Sequence, residues 1–164
     1  MIIYANSLLL KTVTYEDLDE VARMWEFEKS AISMEEAKNA IEYMQSNHTQ
    51  NKIGCIYHLC FAIFEKDKSK IIGWCGLDGK TADKLHIFYS IDTQYRNKGY
   101  ATQCAEALLS YAFEEARVPF VNGGCDKNNI ASFKVMSKIG MKQNGFDEND
   151  DPLFFIDETL YRTL

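Results

Sequence analysis

The sequence predicts a mixed α/β fold of the α+β kind: a central, mostly antiparallel sheet with one parallel crossover and flanking helices. Three observations predict it. Apolar residues recur at helical spacing in four separate segments. Between them lie β-rich runs joined by short polar turns, which read as hairpins. One such run is followed by a long helix and then another strand, the pattern of a parallel strand–helix–strand unit across residues 84–123. The length of 164 residues fits one domain spanning 1–164.

Residues 7–13 read as a strand. Thr14 with Asp17 has the form of a capping box, and Leu18, Val21, Ala22 and Trp25 follow at helical spacing. Ser33 with Glu36 repeats that signal ahead of Ala37, Ala40, Ile41 and Met44. Runs at 57–65 and 70–76, joined by the polar turn 66–69, read as a hairpin. In the next run, 84–91, Leu85, Ile87, Tyr89 and Ile91 share one face and His86, Phe88 and Ser90 the other.

The cleanest helical stripe follows, with Ala101, Cys104, Ala105, Leu108, Leu109, Ala112, Phe113 and Ala116 on one side. A short strand at 119–123 is entered through Pro119. Asn129 is placed to cap a last helix running to Lys138, and Gly140 to end it. Residues 141–146 and 153–161 read as a closing hairpin around the acidic run 147–151.

Composition narrows the function. The net charge is −6, which argues against a chain whose task is neutralising nucleic-acid phosphates. A small anion held by one local basic loop stays open. The 5 cysteines form no C-x-x-C pair and His48, His58 and His86 are scattered, so reduced thiols and no metal site are expected. Residues 1–6 lack the charged start and long apolar run of a signal peptide. No run approaches the ~20 apolar residues of a spanning helix. A cytoplasmic protein without membrane partners is the expectation.

The most informative segment is 91–102: a strand end, a polar loop carrying Arg96 and Lys98, Gly99, and the start of the long helix. Unpaired N–H groups and the positive end of the helix dipole meet there, which suits a phosphate or pyrophosphate. The alternative is a plain strand-to-helix turn with solvated cations. The segment is neither a Walker A loop nor G-x-G-x-x-G, which disfavours nucleotide hydrolysis and Rossmann binding.

Arg96-x-x-Gly99-x-Ala101 resembles the Q/R-x-x-G-x-G/A signature of the GCN5-related N-acetyltransferases. Asn129-Ile130-Ala131-Ser132, continuing to Lys138-Ile139-Gly140-Met141, is similar to that family's N-x-x-S…K-x-G-F segment, in the wording of its ribosomal-protein (RimJ/RimL-like) branch. The element order agrees over essentially the whole chain.

The resemblance implies transfer of an acetyl group from acetyl-CoA, as co-substrate, to a primary amine of a small molecule or peptide. It implies that Ile91 meets the pantetheine arm through its backbone. Arg96, Asn97, Lys98, Gly99, Tyr100, Ala101 and Thr102 would cradle the pyrophosphate, and Asn129 and Ser132 would flank the pantetheine and sulfur. Two positions depart from the family pattern: Leu85 or His86 stands where many members carry a base glutamate, and Met136 where many carry a tyrosine acid. His86 is the expected base, the alternative being a sheet-surface histidine. Ser132 is the expected proton donor or thiol contact, the alternative being a helix-start serine. These departures leave open a non-catalytic CoA-binding sensor of the same fold. A homodimer paired through an edge strand of the closing hairpin is also open. The acidic run 147–151 is read as a solvated tip, or as a lip for a cationic amine. Trp25, Phe27 and Tyr43 are read as core packing, or as walls of the acceptor pocket.

Overall fold

The computed structural model describes residues 1–25, 31–80 and 84–164. Phe27 lies outside them. In chain order the elements are β1 (Ile2–Ala5), β2 (Leu8–Lys11), α1 (Leu18–Arg23), α2 (Met34–His48), β3 (His58–Glu65), β4 (Ile71–Asp78) and β5 (His86–Ile91). They continue with α3 (Tyr100–Ser110), β6 (Phe120–Gly124), α4 (Ile130–Lys138), β7 (Lys142–Phe146), β8 (Pro152–Asp157) and α5 (Glu158–Tyr161). The strands form one sheet in the order β1-β2-β3-β4-β5-β6-β8-β7. Among the described residues only β5 and β6 run parallel, and α3 is the crossover between them.

Two elements differ from the sequence expectation. The expected first strand at 7–13 is the second arm of a β1–β2 hairpin, turned at Asn6-Ser7 with Asn6 at φ 44°. Asn tolerates that left-handed backbone, while the apolar start at Ile2 and Ile3 is too short to show a period. The strand expected at 153–161 ends at Asp157, whose carboxylate accepts the Leu160 N–H at 2.8 Å and starts α5. The capping boxes at Thr14/Asp17 and Ser33/Glu36 and the Asn129 cap all form.

The sheet is buried on both faces at its centre. Leu59, Phe61 and Ile63 of β3 pack with Ile72, Cys75 and Leu77 against Cys104, Leu108 and Leu109 of α3. Cys60, Ala62 and Phe64 face the other way, with Trp74, against Val21 of α1 and Ala37, Ile41 and Met44 of α2. That explains why β3 and β4 read as continuous apolar runs rather than alternating ones. Trp74 Nε1 donates to the Met24 carbonyl at 2.6 Å, tying the chain just after α1 to the sheet. Among the described residues no helix is long and apolar enough to cross a membrane.

Gly76 of β4 is packed between β3 and β5: a β-carbon there would fall on the Leu59 carbonyl oxygen and against the Phe88 ring. Gly124, by contrast, has its nearest such neighbour at 3.6 Å. Gly76→Ala should therefore cost about 1–3 kcal/mol of stability, the usual range for overpacking. Gly124→Ala should leave the urea midpoint nearly unchanged, and equilibrium unfolding of the two variants compares them directly.

Candidate active site

β5 and β6 touch at a single ladder pair, His86 with Asn122, closed by the Asn122 N–H donating to the Leu85 carbonyl at 2.7 Å. Beyond it β6 continues with β8 through Gly123 and Gly124, while β5 stays with β4. The parallel strands part, and a gap opens inside the sheet. The Asp92 N–H donates to Ile72 on the β4 side, so by alternation the backbone groups of Tyr89 and Ile91 face the gap. The Tyr89 groups and the Ile91 N–H there can pair with the amides of an extended ligand arm, while the Ile91 carbonyl is taken by Arg96.

The gap leads to the start of α3. Asn97 at φ 63° and Gly99 at φ 76° turn the chain sharply into the helix. Side chains cap the starts of α2, α4 and α5, but none caps α3. Its first intrahelical bond runs from the Gln103 N–H to the Gly99 carbonyl, so the N–H groups of Tyr100, Ala101 and Thr102 have no intrahelical acceptor. The helix dipole adds partial positive charge at the same point. A β-carbon at Gly99 would meet no atom within 4 Å, so the glycine answers the left-handed backbone and leaves an open cradle.

Gap and helix start merge into one cleft of about 620 Å³. It gathers Ile91, Arg96, Asn97, Gly99, Tyr100, Ala101, Thr102, Asn129 and Ser132 from the expected site residues. Two expected residues lie outside the lining. Lys98 Nζ packs over the Tyr95 and Tyr100 rings, 5.1 and 5.8 Å from their centroids. His86 stands at the closed end of the gap, on the α2 face of the sheet. Arg96 also departs from the expectation in detail, because its Nε donates to the Ile91 carbonyl at 2.9 Å and so braces the loop against β5.

On the α4 wall, Asn129 Oδ1 accepts the Ser132 N–H at 3.0 Å. Ser132 Oγ lies 2.9 Å from Tyr89 Oη, which also reaches the Ser132 carbonyl at 3.3 Å. Tyr89 thus bridges the gap from β5 to α4, and its burial raises the phenol's pKa above the usual value. Sequence reasoning placed Tyr89 on the Ile91 face without assigning it to the site. Its spacing two residues ahead of Ile91 was the available signal. Met136 is buried beneath α4, beside Gly123 and Met141, and does not line the cleft.

On the α2 face, His86 is paired across the ladder with Asp78, itself paired with His58. His58 Nδ1 is 3.5 Å from Asp78 Oδ1, and its ring stacks on Phe88. Partial burial pushes the His86 pKa below the usual histidine value, against an opposing pull from Asp78. The ring is neutral at neutral pH, as a base must be. Tyr43 is half exposed, with its Oη accepting from Lys80 Nζ at 2.7 Å, whereas Trp25 packs edge-on against Trp74. The acidic tip is partly self-capped: Asp147 accepts the Asn149 and Asp151 N–H groups, and Asp151 accepts that of Lys127.

Residues 7–142 match the acetyltransferase (GNAT) domain family. The chain belongs to that family. Its acetyltransferase relatives include the uncharacterized N-acetyltransferase YnaD of Bacillus subtilis (strain 168), 42% identical over 60 residues. That match covers 37% of this chain and 35% of YnaD, so the chain aligns with about a third of that relative's length. The ribosomal-protein-S5-alanine acetyltransferase of Vibrio fischeri has the same fold, with a TM-score of 0.81 at 17% identity over 96% of each chain. So has RimL, the ribosomal L7/L12 α-N-protein acetyltransferase, solved in complex with coenzyme A. There the TM-score is 0.70 at 15% identity, covering 96% of this chain and 98% of that one.

One half-buried group at the end of α2 carries a pH signature. His48 Nε2 accepts the Cys60 backbone N–H at 3.1 Å, which only a neutral ring can do. Burial, with a smaller push from His58, lowers its pKa from 6.5 to about 4. Between those values the unfolded chain binds a proton that the folded chain refuses. Stability is therefore full above pH 6.5 and falls as pH drops toward 4. His48→Gln offers an acceptor at any pH and should flatten that decline, as urea midpoints taken across the window will register.

Proposed function

We propose that this chain is an acetyl-CoA-dependent N-acetyltransferase that moves the acetyl group of the CoA thioester to a primary amine by direct attack in a ternary complex. The observation that carries the reading is the parted β5–β6 pair opening onto the uncapped start of α3. In this reading the pantetheine arm lies along Tyr89 and Ile91, and its amides replace the missing ladder partner. The diphosphate sits on the N–H groups of the Gly99 turn and the first turn of α3, with Arg96 and the main chain of Asn97 and Lys98 around it. Asn129 and Ser132 form the opposite wall.

The chemistry needs few side chains. The amine lone pair attacks the thioester carbon, a C–N bond forms, the C–S bond breaks, and the electron pair leaves on sulfur. Holding both reactants in line removes about 7–11 kcal/mol of barrier, and one hydrogen bond to the developing oxyanion about 2.7–4 kcal/mol. A base adds about 10²–10⁴-fold. His86 is the residue we assign to accepting the amine proton, directly or through water, and Ser132 the hydroxyl we assign to the sulfur. The acceptor is an amine of a small molecule or peptide. All five cysteines are free thiols, which fits a reducing compartment such as the cytoplasm.

Acetyl-CoA at roughly 100 times its Kd should stabilise the protein by about 2.7 kcal/mol, visible as a rise of several degrees in Tm. Gly99→Val, which forces a branched side chain into the left-handed cradle, should abolish that rise; a rise kept in full would refute the cradle. Thiol release against a panel of amines separates transferase from sensor, since a sensor binds without releasing thiol. His86→Ala should lower kcat by about 10²-fold and remove the acid limb of the pH–rate profile. An unchanged profile would take His86 out of the reaction.

A further inference from the structure

We infer that the Tyr89 hydroxyl is the proton source for the departing thiolate, acting through Ser132 Oγ, so that the acid of the reaction stands on β5 with a relay on α4. This rests on the acyl-transfer reading of the cleft and adds to it a residue that the sequence motifs do not contain. Tyr89 lines the cleft, and its Oη lies 2.9 Å from Ser132 Oγ. Either hydroxyl can donate across that contact, and the phenol's one hydrogen can go to Ser132 Oγ or to the Ser132 carbonyl 3.3 Å away; the relay uses the shorter of the two. With Tyr89 donating to Oγ, the serine's own hydrogen is free to point into the cleft.

The other tyrosines of the cleft, and Ser90, are less well placed. Tyr100 Oη donates to Glu65 Oε1 at 2.7 Å and is turned away. Tyr95 is held between the ammonium groups of Lys70 and Lys98. Ser90 projects to the opposite face of β5. Met136 has no proton to give.

The step balances. As the C–S bond breaks, the sulfur takes the Ser132 Oγ hydrogen, and Oγ takes the Tyr89 hydrogen in the same motion. The tyrosinate is reprotonated by water from the cleft mouth, and the proton lost by the amine on the other face leaves the total unchanged. The titratable groups around the phenol are Cys125 beyond β6, Lys134 on α4, Tyr95 and Arg96 in the loop, and Tyr100 at the start of α3. Burial raises the Tyr89 pKa, so the phenol keeps its proton at neutral pH.

The test uses the full chain with acetyl-CoA and an amine that supports thiol release. Tyr89→Phe should keep the acetyl-CoA-induced rise in Tm and the KM for acetyl-CoA, while kcat falls about 10²-fold. Ser132→Ala should behave alike, and combining the two should cost little more than either, because they act as one unit. A fluorinated tyrosine at position 89, which keeps the hydroxyl but lowers its pKa, should move the alkaline limb of the kcat profile to lower pH. A merely structural bridge would not move that limb. Normal kcat in Tyr89→Phe, additive losses in the double variant, or an unmoved limb would each overturn the assignment. Wild-type protein that binds acetyl-CoA but releases no thiol would overturn the transferase reading itself, and this role with it.

Discussion

The parting of β5 from β6 is the constraint on which the rest of the molecule turns. Parallel neighbours in the middle of a sheet normally satisfy each other's peptide groups, and leaving such a row unmatched is costly unless water or a ligand fills it. Here β6 stays with β8 from Phe120 to Gly124 and β5 stays with β4 to Ile91, and the two pair with each other only at His86 and Asn122. Gly123 strengthens the divergence. Met136 Sδ would lie 3.1 Å from a β-carbon at that position, so α4 rests directly on the β6 backbone. The Tyr89–Ser132 contact then fixes the far side of the gap at a set width. The cleft is thus a property of the sheet and not of a flexible loop.

Charge follows the same logic on a smaller scale. A chain of net charge −6 is an unpromising host for a polyanion if charge is averaged over the surface. What matters is the local field at the α3 start, where three N–H groups and the dipole act without a competing cap. The cations nearby contribute less than their number suggests. Arg96 is engaged with the Ile91 carbonyl, and Lys98 lies over two aromatic rings. Main-chain geometry, set by positive φ at Asn97 and Gly99, does the larger share of the positioning.

Local signals made much of this architecture legible. Thr14/Asp17, Ser33/Glu36 and Asn129 each mark a helix start by a hydrogen bond made within three residues, so the sequence alone announces them. The Gly99 turn is legible for the same reason. The β1–β2 hairpin was hidden because a four-residue strand with a two-residue turn gives no period to detect. α5 was hidden because the alternating residues of β8 run straight into it. Tyr89 eluded the reading for a different reason: its partner, Ser132, is 43 residues away, and only the crossover brings the two together. His86 was legible as a position, but its surroundings were not, since Asp78 and His58 reach it through strand register.

Alternation along β5 gives the gap its chemical meaning. Tyr89 and Ile91 face α3 and α4, while His86 and Phe88 face α2. An imidazole on one face and a hydroxyl pair on the other are separated by the thickness of a sheet that is otherwise packed solid. Were β6 paired with β5 to its end, no single molecule could be in contact with both. Because the strands separate after one pair, a thioester threaded between them can present sulfur to one face and carbonyl carbon to the other. The Tyr89 groups and the Ile91 N–H on that edge are the ones available to hold it there. In the proposed reaction, binding and the division of chemistry between the two faces therefore arise from one structural event.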